Sequence, residues 1–412
     1  MSLPVRIARV DEDRPLLALL PDLPDDERFA FVRDGKGVIG WGVAARIEVG
    51  TGPERFLRAR EGLATVLDGG SAGATDAPRP LAFASFTFDP DEDGSVMIVP
   101  SVAVVRRGGA TWRIEAGDGR DLPTGSVEQT PADAAADRPR YGGSTVRDDV
   151  WLESVARALE GIGAGSFAKV VLARDLHLWS RAPFDVPAVL AALAVRFPSC
   201  ATFLVDHLIG ASPEPLVRRT GTAVASRVLA GTAPRGSDPS EDDAIGADLL
   251  ASAKDRHKHD LAVVSAVEAL REVCTDLSVP SGPSLVRLDN VQHLGSDLTG
   301  TLAVGQDGTA PHILDLVARL HPTAAVGGSP RDAAMAAIRE LEGMSRGRYA
   351  GPVGWCTADG DGEFAIALRC AEVRGDRARL FAGAGIVDGS LPEAELTETW
   401  LKLRAMTGVL DR

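Results

Sequence analysis

The sequence has few cysteines, no long apolar run and no cluster of basic residues, and each absence excludes a class of protein. Its four cysteines lie far apart without C-x-x-C spacing, which disfavours a zinc site and a secreted disulfide framework. We expect Cys200, Cys274, Cys356 and Cys370 to be reduced core residues. No apolar stretch approaches the roughly 18 residues that span a bilayer, and the N-terminus lacks the apolar core of a signal peptide. We therefore expect a cytoplasmic protein without a membrane span.

Charge and composition favour a large domain that acts on a small molecule. The formal net charge is −14, and no group of lysines and arginines offsets it. This balance argues against a surface for nucleic acid or for an anionic membrane. With 412 residues, of which 45% are apolar, the chain can bury a large core, as one big α/β domain or as two ordinary ones.

The pattern of predicted strands and helices changes near residue 145. Before it, short β-branched and aromatic runs separated by polar turns predict antiparallel strands. After it, helices and strands alternate, with a helical stretch over about 242–275 and a terminal helix over about 392–406. Segments 69–80 and 118–143 have the composition of loops, and the second is a candidate linker. We expect two parts, 1–145 and 146–412, within one compact domain of the α/β (α+β) class.

Lys169 lies in the apolar, β-branched run Ser166–Arg174, where an ammonium group is costly to bury. Period-two alternation gives Lys169 apolar neighbours on both faces of the predicted strand. Desolvation lowers the pKa of a lysine, and a lysine near neutrality can act as a general base. Alternatively, Lys169 ends the strand, and its amine reaches water or pairs with a carboxylate. The segment alone leaves both interpretations open.

Three other segments place polar residues where a ligand could bind. Glu214 follows a predicted strand, and a half-buried glutamate has a raised pKa and can act as a general acid. Arg369 ends an alanine-lined strand, whose small side chains leave room for a carboxylate held by the guanidinium. Gly383 and Gly385 lie where a ligand could approach backbone N–H groups. Close strand packing explains these small residues equally well.

Two patterns of charged residues lie on predicted helices. Glu395, Glu398 and Lys402 share one face of the terminal helix. That face either points into a cavity or is exposed, with an ordinary i,i+4 pair between Glu398 and Lys402. His257 and His259 do not form a zinc site, because residues two apart on a helix point about 200 degrees away from each other.

Ten segments between about Val150 and Leu410 resemble, in order and spacing, the chorismate-utilising enzymes, the group that includes isochorismate, salicylate, anthranilate and aminodeoxychorismate synthases. The segments are SFAKVVLAR, GASPEPLVR, LAGTAPRG, SAKDRHKHDL, QHLG, HPTAAVGGSP, GPVGWC, FAIALRC, FAGAGIV and LTETWLKL. The part before residue 145 matches only through its strand pattern. The resemblance implies the fold of anthranilate synthase component I and aminodeoxychorismate (ADC) synthase, a sandwich of two antiparallel sheets flanked by helices.

The resemblance also implies which nucleophile attacks the substrate. Lys169 matches the lysine that activates water at ring C2 of chorismate in isochorismate and salicylate synthases. Ala230 stands where aminodeoxychorismate synthases carry a nucleophilic lysine. The chain has no glutamine amidotransferase domain of the kind that supplies ammonia to anthranilate synthases. We therefore expect an isochorismate synthase, an isomerase that converts chorismate to isochorismate, acting as a monomer without an amidotransferase subunit.

Two alternatives and one question stay open at this point. A salicylate synthase would form isochorismate and then eliminate pyruvate, and a non-catalytic chorismate-binding protein would bind without turnover. The product of an isochorismate synthase could enter menaquinone or siderophore biosynthesis.

By the same resemblance, Glu214 would be the acid that protonates the departing C4 hydroxyl, on the opposite side of the ring from Lys169. Arg369 and the backbone at Gly383 and Gly385 would bind the enolpyruvyl carboxylate. The residues that the resemblance places around the substrate are Arg369, Lys402, Gly383, Gly385, Gly231, Thr232, His293 and Thr323.

The resemblance further implies a magnesium ion held by glutamates from two helices. Glu398 and Glu395 match the share of the terminal helix, but Lys258 occupies the usual glutamate position in the other helix. Like charges about 4 Å apart repel by roughly 4 kcal/mol at an effective dielectric constant of 20, so a lysine facing Mg²⁺ would weaken its binding severely. Either Lys258 turns outward while Asp255 and water complete the site, or its ammonium replaces the metal, or the enzyme is impaired. We expect a weakened or altered dependence on Mg²⁺.

Overall fold

The computed structural model describes residues 2–67, 77–117, 138–288 and 291–411. Within these ranges the α-helices are α1 Arg55–Leu67, α2 Asp148–Gly163, α3 Val186–Arg196, α4 Pro239–Ala251, α5 Ala253–Arg271, α6 Ile313–Leu320, α7 Arg331–Leu341 and α8 Pro392–Leu410. Two short 3-10 helices, Leu16–Leu19 and Asp25–Glu27, precede them.

Twenty strands lie in the same described ranges. They are β1 Val5–Val10, β2 Arg28–Arg33, β3 Lys36–Ile47, β4 Leu81–Ser85, β5 Val96–Arg107, β6 Ala110–Ala116, β7 Arg140–Gly143, β8 Lys169–Trp179, β9 Ala201–Val205, β10 Leu208–Ser212, β11 Pro215–Thr220, β12 Ala223–Pro234, β13 Cys274–Ser278, β14 Ser284–Arg287, β15 Val291–Leu302, β16 Gly328–Ser329, β17 Pro352–Thr357, β18 Gly362–Ile366, β19 Cys370–Arg374 and β20 Arg377–Ile386.

Alternating apolar side chains give this sheet structure an apolar core on each face. In β2, Phe29 and Phe31 pack into one core, and Ala30 and Val32 pack into the other. Helices α1, α2, α5, α6 and α7 contribute to the first core, and α3 and α8 to the second. The described strands pair antiparallel. These pairings connect the twenty described strands into one continuous hydrogen-bonded sheet. The two sheets of the predicted sandwich are therefore joined to each other.

The two parts that the sequence distinguishes are connected by strand pairing. Strand β2 pairs with β9, and β4 pairs with β17, so strands from before residue 145 are bonded to strands from after it. Of the two predicted loops, 69–76 and 118–137 lie outside the described residues. The end of the second predicted loop differs from the prediction, because Arg140–Gly143 forms β7 and pairs with β8.

Two predicted elements are interrupted, and both interruptions lie near the site described below. The helical stretch over 242–275 is two helices, α4 and α5, separated at Ser252, whose hydroxyl accepts from the backbone N–H of Asp255 at 3.2 Å and caps α5. The predicted strand that ends at Arg369 stops at Ile366, and β19 begins after Arg369. Arg369 itself has φ 49°, a conformation that ends regular strand pairing.

Two findings bear on the cysteines and on the apolar content of the helices. All four cysteines are free, three of them buried and Cys274 partly exposed. None of the described helices is long and apolar enough to cross a membrane.

Candidate active site

One pocket collects most of the residues that the sequence marks as functional. It encloses about 820 Å³ of empty space, which includes the open solvent at its mouth. Its walls come from β8, β12, β15 and β20, from the turns that follow β10 and β18, and from α5 and α8. The predicted residues that line it are Lys169, Glu214, Gly231, Thr232, Lys258, His293, Arg369, Gly383, Gly385, Glu398 and Lys402.

Lys169 is the first residue of β8, and its amine is enclosed in the pocket, with 2% of the residue exposed. A Cβ placed on Gly385 would lie 3.3 Å from Lys169 Cε, so the glycine leaves space for the lysine stem. Burial and the charge of Lys258 lower the pKa of Lys169 to about 7, although the carboxyl of Glu214 acts in the opposite direction. The geometry therefore favours a buried amine over a strand-end lysine that reaches water.

Glu214 lies in the turn between β10 and β11, and 5% of it is exposed. The turn is fixed on both sides: Ile366 N–H donates to the Glu214 carbonyl at 3.0 Å, and Glu214 N–H donates to Ser212 Oγ at 3.2 Å. Burial raises the pKa of the Glu214 carboxyl to about 8, against the lowering effect of Lys169 and Lys402. A carboxylic acid that is still protonated near neutral pH can donate its proton to a substrate. The pocket thus holds a proton acceptor and a proton donor.

Arg369 presents a buried guanidinium group to this pocket, and its Nη1 has no hydrogen-bond partner within the protein. The backbone is held in its left-handed conformation by neighbouring strands, since Ala211 N–H donates to the Arg369 carbonyl at 3.1 Å. Burial lowers the pKa of this guanidinium, which nevertheless stays charged because arginine does not deprotonate in proteins. A buried, unpaired cation of this kind is suited to bind an anionic ligand group.

A bulge in β12 positions two further polar groups. Gly231 has φ 80°, and the register of β12 against β15 shifts between Ala230 and Thr232, which turns Thr232 towards the pocket. His293 Nδ1 lies 3.1 Å from Thr232 Oγ1 and 3.2 Å from the Gly231 carbonyl oxygen. Burial, together with Arg369, lowers the pKa of His293 to about 3, so the ring is neutral. With Nδ1–H donating to the carbonyl, the unpartnered Nε2 is left to accept from a ligand hydroxyl.

Helix α8 brings its charged face into the pocket, as one of the two sequence interpretations predicts. Lys402 Nζ donates to the Gly383 carbonyl oxygen at 2.7 Å and lies 2.6 Å from Glu398 Oε1. Burial alone would raise the pKa of Glu398, but the charges of Lys402 and Lys258 outweigh it and lower that pKa to about 2. Glu398 is therefore an anion already neutralised by neighbouring ammonium groups.

The residues expected to bind Mg²⁺ are each bonded to other side chains. Glu395 Oε1 accepts from Ser390 Oγ at 2.7 Å and from Lys254 Nζ at 3.1 Å, and Lys258 Nζ lies 3.5 Å away. Asp255 accepts from the hydroxyl of Ser252 at 2.6 Å and does not line the pocket. In the part of the chain that the structure describes, no group of three or more His, Cys, Asp or Glu residues is placed to share a metal ion. Lys258 does not turn outward, because it is buried and lines the pocket.

Thr323 lies close to the pocket without lining it. It is buried, and its Oγ1 has no partner within the protein, whereas Ala325 and Val326, two and three residues later, form part of the wall. The structure therefore brings most of the predicted site residues together in the pocket wall. Thr323, Glu395 and Asp255 do not line the pocket.

Tyr349 is a pocket residue that the sequence does not mark. Its ring stacks on Phe381 with the ring centroids 5.1 Å apart, and a Cβ placed on Gly383 would meet its hydroxyl at 3.2 Å. A lone tyrosine within a turn carries no periodic signal, because its position depends on strands far away in the sequence. One feature that could have drawn attention to it is the scarcity of tyrosine, of which the chain has two.

Comparisons with known proteins identify the family to which the chain is similar. A family model described as "Chorismate binding enzyme" matches residues 119–411. Isochorismate synthase DhbC of Bacillus subtilis (strain 168) is 43% identical over 263 residues, 61% of this chain and 65% of that protein. Isochorismate synthase MenF of the same organism is 40% identical over 266 residues, 64% of this chain and 55% of that protein. The match thus spans less than two thirds of the length of either relative.

A solved structure extends the likeness over nearly the whole chain. MenF, the menaquinone-specific isochorismate synthase from Escherichia coli, superimposes with a TM-score of 0.80 at 25% sequence identity, covering 99% of this chain and 95% of that chain. This similarity confirms the predicted fold class, including its N-terminal strands.

Proposed function

The chain belongs to the chorismate-binding enzyme family, and on this basis we propose that it is an isochorismate synthase. Lys169 accepts a proton from a water molecule as that water attacks C2 of chorismate. Glu214 donates a proton to the C4 hydroxyl, which leaves as water while the ring double bonds shift. One water enters and one leaves, so the product is an isomer of the substrate.

The observation that carries the proposal is that the Lys169 amine and the Glu214 carboxyl group line the same pocket. Burial lowers the pKa of the amine and raises the pKa of the carboxyl group. With a pKa of about 7 for Lys169 and about 8 for Glu214, a single proton shared by the pair resides mainly on Glu214. This is the arrangement needed for attack at C2. One pKa unit corresponds to about 1.4 kcal/mol, so the opposite arrangement, needed for the reverse reaction, lies close in energy. A reversible isomerisation fits such a pair.

The remaining pocket residues suit a cyclic dicarboxylate with a hydroxyl group. Arg369 offers its unpaired guanidinium to one carboxylate, with the small residues Gly383 and Gly385 leaving room beside it. His293 Nε2 is free to accept from a hydroxyl. Lys402 also lines the pocket. Its ammonium group adds positive charge, which favours a ligand that carries two negative charges.

Product identification tests the function directly. Purified protein is incubated with chorismate, and the products are separated by chromatography. We expect isochorismate to accumulate to an equilibrium mixture with chorismate, without release of pyruvate. Salicylate with an equal amount of pyruvate would instead identify a salicylate synthase. Binding of chorismate without any product would show a non-catalytic chorismate-binding protein, and either result would contradict the proposal.

The pH dependence of kcat/KM gives a second prediction. Lys169 must be neutral, so activity falls below its pKa of about 7, and Glu214 must be protonated, so activity falls above its pKa of about 8. We expect a bell-shaped profile with its maximum between these values, whose limbs report the titration of the pair. A rate that keeps rising well above pH 8 would contradict the role of Glu214 as the acid.

The variant Arg369→Lys tests the carboxylate site. Because the shorter, compact ammonium cannot form the two parallel hydrogen bonds of a guanidinium, we expect KM for chorismate to rise by roughly 10- to 100-fold, with a smaller change in kcat. Arg348→Lys is a matched control, since Arg348 is also buried but donates to the carbonyls of Val205 and Asp206 away from the pocket. Equal rises of KM in both variants would indicate loss of structure rather than loss of a ligand contact.

The setting in which the enzyme works is also part of the proposal. We infer a cytoplasmic monomer that needs no glutamine amidotransferase subunit, because water rather than ammonia is the nucleophile. Its product would supply menaquinone or siderophore synthesis, since one similar protein is named a menaquinone-specific and another a vibriobactin-specific isochorismate synthase.

A further inference from the structure

The position of Lys258 departs from what a metal-dependent site requires. Lys258 extends from α5 into the pocket, where 8% of its side chain is exposed, and its Nζ lies 3.5 Å from Glu395 Oε1. Glu395 is itself 2% exposed, and its second oxygen, Oε2, has no partner within the protein. A buried carboxylate without a compensating cation is costly, so the Lys258 ammonium has a defined electrostatic role at this place.

Both carboxylates of α8 that could hold a divalent cation are already engaged by ammonium groups. Glu398 pairs with Lys402, and Glu395 accepts from Lys254 and lies beside Lys258. Mg²⁺ prefers about six oxygen ligands at close, nearly octahedral positions. An ion placed here would face the Lys258 ammonium instead of a third carboxylate.

The charge of the pocket gives an independent argument. Lys258, Lys402 and Arg369 are cations that line the pocket together with the anion Glu398, which leaves two positive charges. Near neutral pH the acid–base pair does not alter this balance, because with one proton shared between them Lys169 and Glu214 are either both neutral or both ionised. Two positive charges match a dicarboxylate. A glutamate at position 258 with a bound divalent cation would contribute one net positive charge, and the Lys258 ammonium contributes the same.

We propose that the Lys258 ammonium takes the place of a divalent cation in this pocket, so that the protein binds and converts its dianionic substrate without Mg²⁺. The identity of that substrate rests on the proposed function. Lys258 binds the substrate carboxylate farther from Arg369, and Glu395 holds the ammonium in position from behind.

Removal of divalent ions is the first test. Turnover of chorismate by the wild-type protein is measured after treatment with EDTA and again in millimolar Mg²⁺, and we expect the same rate in both. A rate that collapses in EDTA and returns with Mg²⁺ would overturn the proposal.

Variants of Lys258 test the charge itself. Lys258→Met removes the ammonium but keeps the length of the side chain, and we expect it to weaken chorismate binding, measured by calorimetry, by roughly thirtyfold or more. In EDTA we expect Lys258→Glu to lose turnover by a factor similar to the loss of affinity in Lys258→Met. In Mg²⁺ we expect its turnover to return, because a third carboxylate now neighbours Glu395 and Glu398. Wild-type affinity in Lys258→Met would refute the role of the ammonium.

Lys254→Met serves as the matched control. Lys254 also donates to Glu395, at 3.1 Å, but 37% of its side chain is exposed and it does not line the pocket. We expect it to bind and convert chorismate as the wild type does, with no effect of Mg²⁺. Thermal unfolding of all three variants shows whether a loss comes from unfolding.

Binding of Mn²⁺, followed by electron paramagnetic resonance with and without chorismate, separates this proposal from the proposed function. We expect the signal of free Mn²⁺ to persist with the wild type and to be depleted by Lys258→Glu. If the wild-type protein forms no isochorismate even in Mg²⁺, the proposed function fails, but this measurement still decides the metal question. A wild-type Mn²⁺ site that disappears in Glu398→Gln would overturn the inference about Lys258.

Discussion

Replacement of Lys169 by methionine is expected to lower kcat by roughly 10²–10⁴-fold, the loss typical of removing a general base. The amine is enclosed and its pKa is about 7, so near neutral pH a large fraction of the protein holds it uncharged and ready to accept a proton from water. Methionine has a similar length and no proton-accepting group. Steady-state turnover of chorismate measures the effect, and the residual activity should no longer fall below pH 7.

Lys169→Arg separates the base from the charge. A guanidinium keeps the positive charge but does not give up its proton in proteins, so we expect this variant to be as inactive as Lys169→Met. Chorismate affinity should change far less than kcat, because the carboxylates are bound elsewhere. The free energy of unfolding of Lys169→Met should be unchanged or higher, since the apolar side chain needs no desolvation of an amine. Substantial activity in Lys169→Arg would exclude Lys169 as the base.

The elements that the sequence predicts well are those with local signals. Period-two alternation identifies β8 and its pocket-facing residues, Lys169 and Val171, while Val170 and Leu172 pack into the core. The charged face of α8 follows from helical spacing in the same way. Which face points into a pocket does not follow from spacing alone, because that depends on β20, against which α8 packs.

The elements that the sequence misplaces are those that break a regular pattern. Arg369 reads as the end of a strand, yet its φ of 49° places it between β18 and β19. An arginine carries no local signal for that conformation, which the surrounding strands impose. Similarly, α4 and α5 read as one helix, because the short cap at Ser252 interrupts a helical pattern without a proline or glycine.

For the site, chemistry was more informative than periodicity. Lys169, Glu214 and Arg369 each stand out as charged or ionisable groups in apolar or small-residue segments, and all three line the pocket. Tyr349 and the wall formed by Ala325 and Val326 have ordinary core residue types, so only the tertiary structure places them there. The roles of these residues stay predictions until variants are measured.

Glu214→Gln is expected to lower kcat by roughly 10²–10⁴-fold, because the amide occupies the same space but has no acidic proton for the departing hydroxyl. The backbone contacts of the turn, from Ile366 N–H and to Ser212 Oγ, do not involve the carboxyl group, so the fold should be kept.

The pH profile of the residual activity of Glu214→Gln distinguishes an acid from a residue that only shapes the pocket. The fall above pH 8 arises from ionisation of Glu214 and should disappear. The fall at low pH arises from protonation of Lys169 and should remain, because Glu214 is already protonated and uncharged in that range in the wild type. Glu214→Asp keeps an acid but withdraws it from the ring, so it should retain more activity than the amide and keep a basic limb. A glutamine variant with the wild-type profile would mean that the proton for the C4 hydroxyl comes from another group.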